Sequence, residues 1–552
     1  MISSAPRLQT PFLFPVLGVA LLFALGAAVP YVLHTFHPSF EGLTIIRDKD
    51  FGNYYSRLER ALSGFPSEAD NGITPVGSGI EGGQIAGLEI ALGVFLGWLG
   101  IPAPTLSVIL TPLFVFLLFL LFHFLFRTLE FSPPWALGMT SLYFFLLFPV
   151  VSRVMHPGWS FVPAIAALIA FLHFWKHPSL PLALLTGLLL GMLPYIYFWS
   201  FSYVWAVAGS AVLLHYITRP LKNDLHTFTP SHSLFLVVLL VTFFVALPFF
   251  LHTWELMQHP LYLETARRAG FLFTRSVESP MRSILLALQV GLFLSLWKQE
   301  RQNWRYLATL SLLLGVFLAM HQNIVHGTLL MFSSHFYPHL VLGSLVAGAY
   351  VLLHRVPLLP RVGVAGIAVL FLAGAAYDYL PGYRFFVPKE EDFQDQYLRR
   401  PIKLLRENGT RDVVLTDAHT GRVLTSFTDE GIIYTTHARH LLLSDAELAE
   451  RFCLSELFLG SPPNPYRSLY IEYTPVLDSL KMRERERVLV GEACERVRSD
   501  PLPWLRKYGV THILWNQEGK PQWSMTRYSL PLTVLEASNT WLLLSLSPAF
   551  TP

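Results

Sequence analysis

Between residues 11 and 380 the chain alternates long apolar runs with short polar clusters, and after residue 381 it changes to short segments of mixed character. A helix that crosses a bilayer needs about 20 mostly apolar residues, because the hydrocarbon layer is about 30 Å thick and offers no partner to an unpaired backbone group. Runs that meet or approach this length lie at 11–32, 105–126, 135–151, 159–175, 181–199, 201–217, 234–251, 281–297, 306–320, 336–353 and 362–380, predicting about eleven transmembrane helices. The first run also has marks of a signal peptide, with Arg7 ahead of it and the small Ala27 and Ala28 near its end. Its apolar length favours a span, and either reading exports the loop that begins at residue 37. The stretch 84–99 is apolar too, but it holds Glu89 and opens in a Gly-rich run, so it reads as a helix lying at the interface. In 381–552, β-branched runs at 412–416, 431–435 and 510–515 alternate with helical patterns at 445–457 and 483–497. The prediction is a polytopic α-helical membrane domain, 1–380, followed by a soluble α/β domain, 381–552.

Charge sets the orientation, since short cytoplasmic loops retain Lys and Arg. With the N-terminus inside, alternate loops carry Arg127, Lys176, Arg219 with Lys222, Lys298 with Arg301 and Arg305, and Arg355 with Arg361. The opposite short loops hold little beyond Arg153, and the first exterior loop, 37–104, is rich in acids, among them Glu41, Asp48, Asp50, Glu59, Glu68, Asp70, Glu81 and Glu89. Reading 84–99 as a span would invert every later loop, which the charge bias opposes. An odd count puts the 252–280 loop and the C-terminal domain outside. Only 14% of residues are charged, against about a quarter in soluble proteins, which fits lipid as the solvent. A net charge of +3 without a basic block excludes nucleic acid as a partner. The two cysteines, Cys453 and Cys494, permit a disulfide if their region is exported and match no metal or haem motif.

Candidate chemistry concentrates in Arg47-Asp48-Lys49-Asp50-Phe51-Gly52-Asn53-Tyr54-Tyr55-Ser56-Arg57, followed by Gly64-Phe65-Pro66 and Pro75-Val76-Gly77. Carboxylates at a membrane surface bind Mg²⁺ or Mn²⁺, or accept a proton from a hydroxyl, and otherwise form a solvated acidic loop. The order Asp50, Tyr54-Tyr55-x-Arg57, Gly-Phe-Pro, Pro75 and Gly77 before an apolar helix ending in Leu99-Gly100 resembles the first exterior loop of GT-C glycosyltransferases. The nearest branch is the catalytic subunit of oligosaccharyltransferase and its prokaryotic relatives. The resemblance covers residues 40–130 in motif order and the whole chain in layout. It implies a GT-C-like fold, a sugar donor carried on a polyprenyl phosphate or diphosphate, and a glycan, lipid or protein acceptor. It also implies residence in a prokaryotic inner or plasma membrane with the C-terminal domain periplasmic. Asp50, and secondarily Asp48, would act as catalytic base or ligand to a divalent cation, Mg²⁺ or Mn²⁺, with Tyr54 and Arg57 binding substrate.

The chain departs from that pattern in places. Asp50 to Arg57 is one residue longer than the family spacing, leaving both aspartates open. The second exterior loop, Arg153-Val154-Met155-His156-Pro157-Gly158-Trp159, has no carboxylate, so His156 is the candidate there for a metal or phosphate, or else a structural hydrogen-bonder. The Trp-Trp-Asp-Tyr-Gly acceptor motif is missing, which argues against a peptide acceptor. Cations for a lipid phosphate are offered by Arg267, Arg268 and Arg275 in the 252–280 loop, read either as a lid or as a headgroup-facing helix. His321, His326, His335, Tyr337 and His339 cluster near the tenth span. There, Ser334-His335-Phe336-Tyr337-Pro338 resembles the family's late Arg-Tyr element with His for Arg, which makes His335 and Tyr337 substrate-binding candidates. Clustered His can also signal a transition metal, but no paired Cys or carboxylate supports it. The expected function is sugar transfer from a polyprenyl-linked donor at the exterior face, with membrane lipids as partners. A non-catalytic GT-C-like scaffold competes because the second-loop acid is missing. A lipid or sugar transporter is disfavoured by the scarcity of ionisable residues within the spans. A cysteine placed in the 37–104 loop should react with a membrane-impermeant maleimide outside intact cells, and one beside Arg219 only after permeabilisation; the opposite pattern overturns the orientation.

Overall fold

The structure, a computed structural model, describes residues 10–46, 51–64, 73, 87–153, 156–218, 230–269, 271–272, 275, 277, 279–327, 329–330, 333–408, 412–461, 463–465, 468–470 and 476–547. Each of the eleven apolar runs lies largely on a helix. In chain order the helices are α1 (Thr10–Thr35), α2 (Phe51–Leu62), α3 (Gly87–Leu96), α4 (Ala103–Thr128), α5 (Pro133–Val151), α6 (Phe161–Lys176), α7 (Leu180–Met192) and α8 (Phe198–Thr218). They continue with α9 (Pro230–Gln258), α10 (Tyr262–Arg268), α11 (Pro280–Leu294), the single turn α12 (Trp297–Glu300), α13 (Trp304–His326), α14 (Tyr337–Leu353) and α15 (Leu358–Tyr379). Among the described residues, seven helices are long and apolar enough to cross a membrane: α1, α4, α5, α8, α9, α13 and α15. The other four predicted spans, α6, α7, α11 and α14, are apolar but shorter. Helix α3, expected at the interface, is short as well and exposes Val94, Phe95 and Trp98.

The chain divides into two compact units, one of Met1–Pro30, Val108–Leu251 and Phe273–Val387, the other of Tyr31–Ser107, His252–Leu272 and Pro388–Pro552. The first unit is a helical bundle. Its helices start and stop by ordinary rules: a Pro pair opens α5, the Asn303 side chain caps α13 by accepting from Arg305 N–H, and Gly327 at φ 82° ends that helix. Helices α8 and α13 approach closely because position 315 is glycine; a Cβ there would run into Val207. Its core is aromatic-rich, with Phe119 and Phe144 edge to face at 5.0 Å and Phe23 stacked on Phe119.

The second unit contains the predicted α/β fold. Its strands are β1 (Val413–Leu415), β2 (Gly431–Ile432), β3 (His512–Asn516), β4 (Leu532–Ala537) and β5 (Trp541–Leu546), and its further helices are α16 (Arg399–Asn408), α17 (Ala418–Phe427), α18 (Asp445–Ser455), α19 (Val476–Ser499) and α20 (Leu502–Lys507). The strand order is β2-β1-β3-β5-β4, with β1 parallel to both neighbours and β5 antiparallel to both of its own. Strand alternation feeds two cores: Val414 and Leu514 join Ile402 and Phe427 on one face, while Leu415 and Ile513 join Leu454 and Val497 on the other. Sequence reading begins this domain at residue 381; the compact unit also takes in the first loop and the α10 segment. Gln396 holds part of that loop directly, accepting from Glu41 N–H at 2.9 Å and Leu43 N–H at 3.0 Å and donating to Leu43 O at 2.7 Å.

A disulfide joins Cys453 on α18 to Cys494 on α19, with Cα atoms 5.0 Å apart and a sequence separation of 41. Closing a loop of that length in the unfolded chain is worth about 4 kcal/mol in the chain-entropy treatment. Protein purified without reductant should therefore show no alkylatable thiol by mass spectrometry, and Cys494→Ala should lower unfolding stability by roughly 2–4 kcal/mol. Free thiols in the native protein would contradict the bond.

Candidate active site

Asp48 and Asp50 lie outside the described residues. Phe51, next in sequence, opens α2, a short amphipathic helix whose inner face is charged as well as apolar: Tyr55 and Leu58 are buried, and so are Arg57 (5% exposed), Glu59 (2%) and Arg60 (1%). Tyr54 is half-buried. Ions are rarely buried unless partnered, and here the partners come from within the second unit. Glu59 accepts from Ala103 N–H at 2.6 Å, with an Arg406 amino group 3.7 Å away. Burial raises its carboxyl to about 7, against the lowering effects of Arg406 and the Ala103 amide. Arg60 acts electrostatically on Glu430, which accepts from Asp412 N–H at 2.5 Å and is raised, again chiefly by burial, to about 8.

Arg57 faces a basic turn, the 3₁₀ segment Thr436–His440. Burial first, and then the charges of His440, Arg422, Arg439 and Arg57, hold His437 well below the usual imidazole range. Arg439 donates to Ser468 O at 3.3 Å, and an Arg422 amino group lies 3.0 Å from His419 Nδ1. Helix α2 reaches these groups because it packs on α17, and its other flank lies against α3, where a Cβ at Gly93 would land on Ala61. Three arginines and a histidine around one buried imidazole form an anion-receptive cluster, since guanidinium forks match phosphate oxygens. Sequence reading names Arg57 in this cluster and misses Arg422, His437, Arg439 and His440; the run His-Ala-Arg-His at 437–440 is the signal that was available.

The second unit also accounts for Arg268, which is fully buried on α10. It donates to Asp445 Oδ1 at 2.9 Å, to Thr265 Oγ1 at 3.0 Å, to Leu441 O at 2.8 Å and to Arg439 O at 3.4 Å. Its guanidinium is thus committed to the protein rather than offered from a lid. Arg267 is exposed, and so is Arg275, which donates to Ile324 O at 3.2 Å in the first unit.

In the first unit the structure brings His156 and His335 together through Tyr197. His156 stacks on the Tyr197 ring at 4.8 Å, the Tyr197 hydroxyl lies 2.9 Å from His335 Nδ1, and Trp199 packs on His335 at 4.4 Å. Beside them, His339 is stacked on Tyr203 at 4.3 Å and meets Phe161 edge-on. His339 Nε2, the Tyr203 hydroxyl and Trp159 Nε1 are buried without a hydrogen-bond partner among the described residues, a situation that favours water or a ligand nearby. Tyr337 is used internally: its hydroxyl donates to Phe371 O at 3.0 Å, and Arg282, paired with Asp378 at 2.6 Å, lies over its ring.

Among the described residues no group of three or more His, Cys, Asp or Glu side chains is arranged to hold a metal ion. His156 offers a ring nitrogen, whereas Mg²⁺ and Mn²⁺ prefer oxygen ligands. The other sequence candidates for a divalent cation, Asp48 and Asp50, lie outside the described residues.

No protein-family model matches the chain, and no curated protein matches it in sequence. Among solved structures, the crystal structure of ArnT from Cupriavidus metallidurans bound to undecaprenyl phosphate is similar over 99% of each chain at 12% identity, with a TM-score of 0.38.

The two raised carboxyls dictate a pH dependence. Each binds its proton more tightly folded than unfolded, so the stabilisation is complete below about 4.5 and lost as pH rises through about 7 for Glu59 and about 8 for Glu430. His437 and His512, both lowered, act oppositely but only below their ordinary range, so from about pH 6.5 to 8.5 the carboxyls dominate. Thermal unfolding of detergent-solubilised protein should show stability falling across that window by an amount on the order of 1–3 kcal/mol. The Glu59→Gln/Glu430→Gln double variant should flatten the slope; an unchanged slope would refute the assignment.

Proposed function

We propose that the protein is a GT-C-type glycosyltransferase that moves a sugar or glycan from a polyprenyl-(di)phosphate donor to a hydroxyl-bearing glycan, lipid or protein acceptor at the exterior face of a prokaryotic inner membrane. The observation that carries this reading is the convergence of Arg57, on the helix that directly follows the acidic segment, with Arg422, Arg439 and His440 in one basic cluster around the buried His437. The layout agrees with it: apolar helices, short non-spanning helices after the first, and an α/β unit whose disulfide suits an oxidising exterior.

In this mechanism Asp50, or Asp48, accepts the acceptor hydroxyl's proton as its oxygen attacks the anomeric carbon. The bond from that carbon to the donor phosphate oxygen breaks, and the negative charge left on the lipid phosphate is met by Arg57 with Arg422 and Arg439. A divalent cation bound at Asp48 and Asp50 would supply further charge neutralisation. A non-catalytic GT-C-like subunit is the second reading, favoured by the commitment of Arg268 to Asp445 and by the second loop's missing acid.

Transfer from a labelled polyprenyl-linked sugar decides between them. One of Asp50→Asn and Asp48→Asn should lose about 100-fold or more in kcat. Arg57→Ala should lose on the order of 100-fold, with partial recovery in Arg57→Lys. Wild-type rates in both Asn variants would retire the enzymatic assignment.

A further inference from the structure

Two cavities of the first unit, lined by no residue of the proposed site, share one wall. The larger, ≈ 480 Å³, is lined by apolar side chains of α5, α14 and α15, among them Leu142, Leu345, Ala368 and Leu372, with Gly138 and Gly348 opening the groove. That volume falls within the range of about 300–1,000 Å³ typical of ligand pockets. The smaller, ≈ 260 Å³, is polar, lined by Glu130, Ser132, Arg305, Tyr350 and His354. Trp135 lines both, so the apolar groove continues into the polar chamber.

The chamber's hydrogen bonds leave donors over. Arg305 gives its Nε to Glu130 at 2.5 Å, and Glu130 also pairs with Lys176, so one carboxylate faces two cations. The Arg305 terminal amino groups have no hydrogen-bond partner among the described residues. The same holds for His354 Nε2, whose Nδ1 is used on Tyr350 O at 2.9 Å while its ring stacks on Tyr350 at 4.1 Å. Tyr350 itself donates to Glu300 at 2.8 Å. Helix α5 begins at this chamber, and its Ser132 N-cap makes no side-chain capping bond; a helix N-terminus favours negative charge. The chamber lies at the loops that charge bias assigns to the cytoplasmic side, where the leaflet is anionic.

We infer that this paired cavity holds an anionic glycerophospholipid of the inner leaflet, one acyl chain along the groove beneath Gly138 and Gly348 and the phosphate on Arg305 and His354. The site is independent of the proposed transfer chemistry. Phosphatidylcholine carries the same phosphodiester but adds a quaternary ammonium that the neighbouring Arg305 and Lys176 oppose, so an anionic lipid should be preferred by about tenfold. The tail contacts can be removed separately: a Cβ at Gly138 would meet nothing within 4 Å, so Gly138→Phe fills the groove without colliding with its surroundings near the backbone.

Native mass spectrometry of the full-length protein in detergent, titrated with phosphatidylglycerol, phosphatidylcholine and inorganic phosphate, tests this. Wild type should retain one phosphatidylglycerol at about tenfold lower concentration than phosphatidylcholine and should bind no phosphate alone. Arg305→Gln should erase the preference, and Gly138→Phe should cut retention of both lipids while the protein stays monodisperse. Equal retention of the two lipids by wild type, binding of phosphate without a tail, or unchanged retention by monodisperse Gly138→Phe would each overturn the proposal.

Discussion

The burial of charge on one twelve-residue helix organises the second unit. Arg57, Glu59 and Arg60 are almost wholly removed from solvent, and removing an ion from water costs several kcal/mol unless its field is met. Compensation comes from residues hundreds of positions later, Arg406 toward Glu59 and Glu430 toward Arg60, while Arg57 lies in the field of the basic Thr436–His440 turn, whose charges oppose its own. A helix held in this way has little choice of register, because sliding it by one turn would leave each charge opposite the wrong partner. That is why a loop between the first and second long apolar helices belongs with the C-terminal sheet rather than with the helices that flank it in sequence.

Structure and candidate chemistry draw on the same side chains. The interactions that seat α2 also place Arg57 within the electrostatic reach of the basic turn, so the candidate cluster is held by the contacts that stabilise the unit. A loss of turnover in an Arg57 variant therefore has meaning only beside a measurement of folding.

The membrane helices were legible because lipid imposes a length and a composition on any segment within it. The interfacial reading of 84–99 rests on Glu89 and the charge bias of later loops; α3 falls among the shorter apolar helices, as do four of the predicted spans. In the C-terminal region the β-branched runs near 413, 431 and 512 mark real strands, since Val and Ile at alternating positions feed two cores. The β4–β5 hairpin was not anticipated; β4 is an edge strand with Val534 and Leu535 exposed, and its pattern lacks the alternation that betrays a half-buried strand. The basic cluster was hidden for a different reason: Arg57 and Arg439 are separated by about two thirds of the chain, and periodicity carries no information on such pairings. Arg268 illustrates the converse, a cation whose sequence neighbours suggested an open lid and whose buried carboxylate partner, Asp445, lies in a distant segment.

The four shorter apolar helices have a consequence for the surrounding bilayer. Helix α6, with 16 residues, and α14, with 17, rise only about 24–26 Å, less than the roughly 30 Å of a hydrocarbon layer, and both are covered over most of their length by neighbouring helices rather than by lipid. Such a mismatch is relieved by thinning the lipid locally or by admitting water to the helix ends. His156 lies ahead of α6, Tyr203 in the second turn of α8 and His339 in the first turn of α14, so polar side chains gather where the helices begin. Membrane thickness itself then becomes a variable of the protein's performance, and thicker bilayers should burden it.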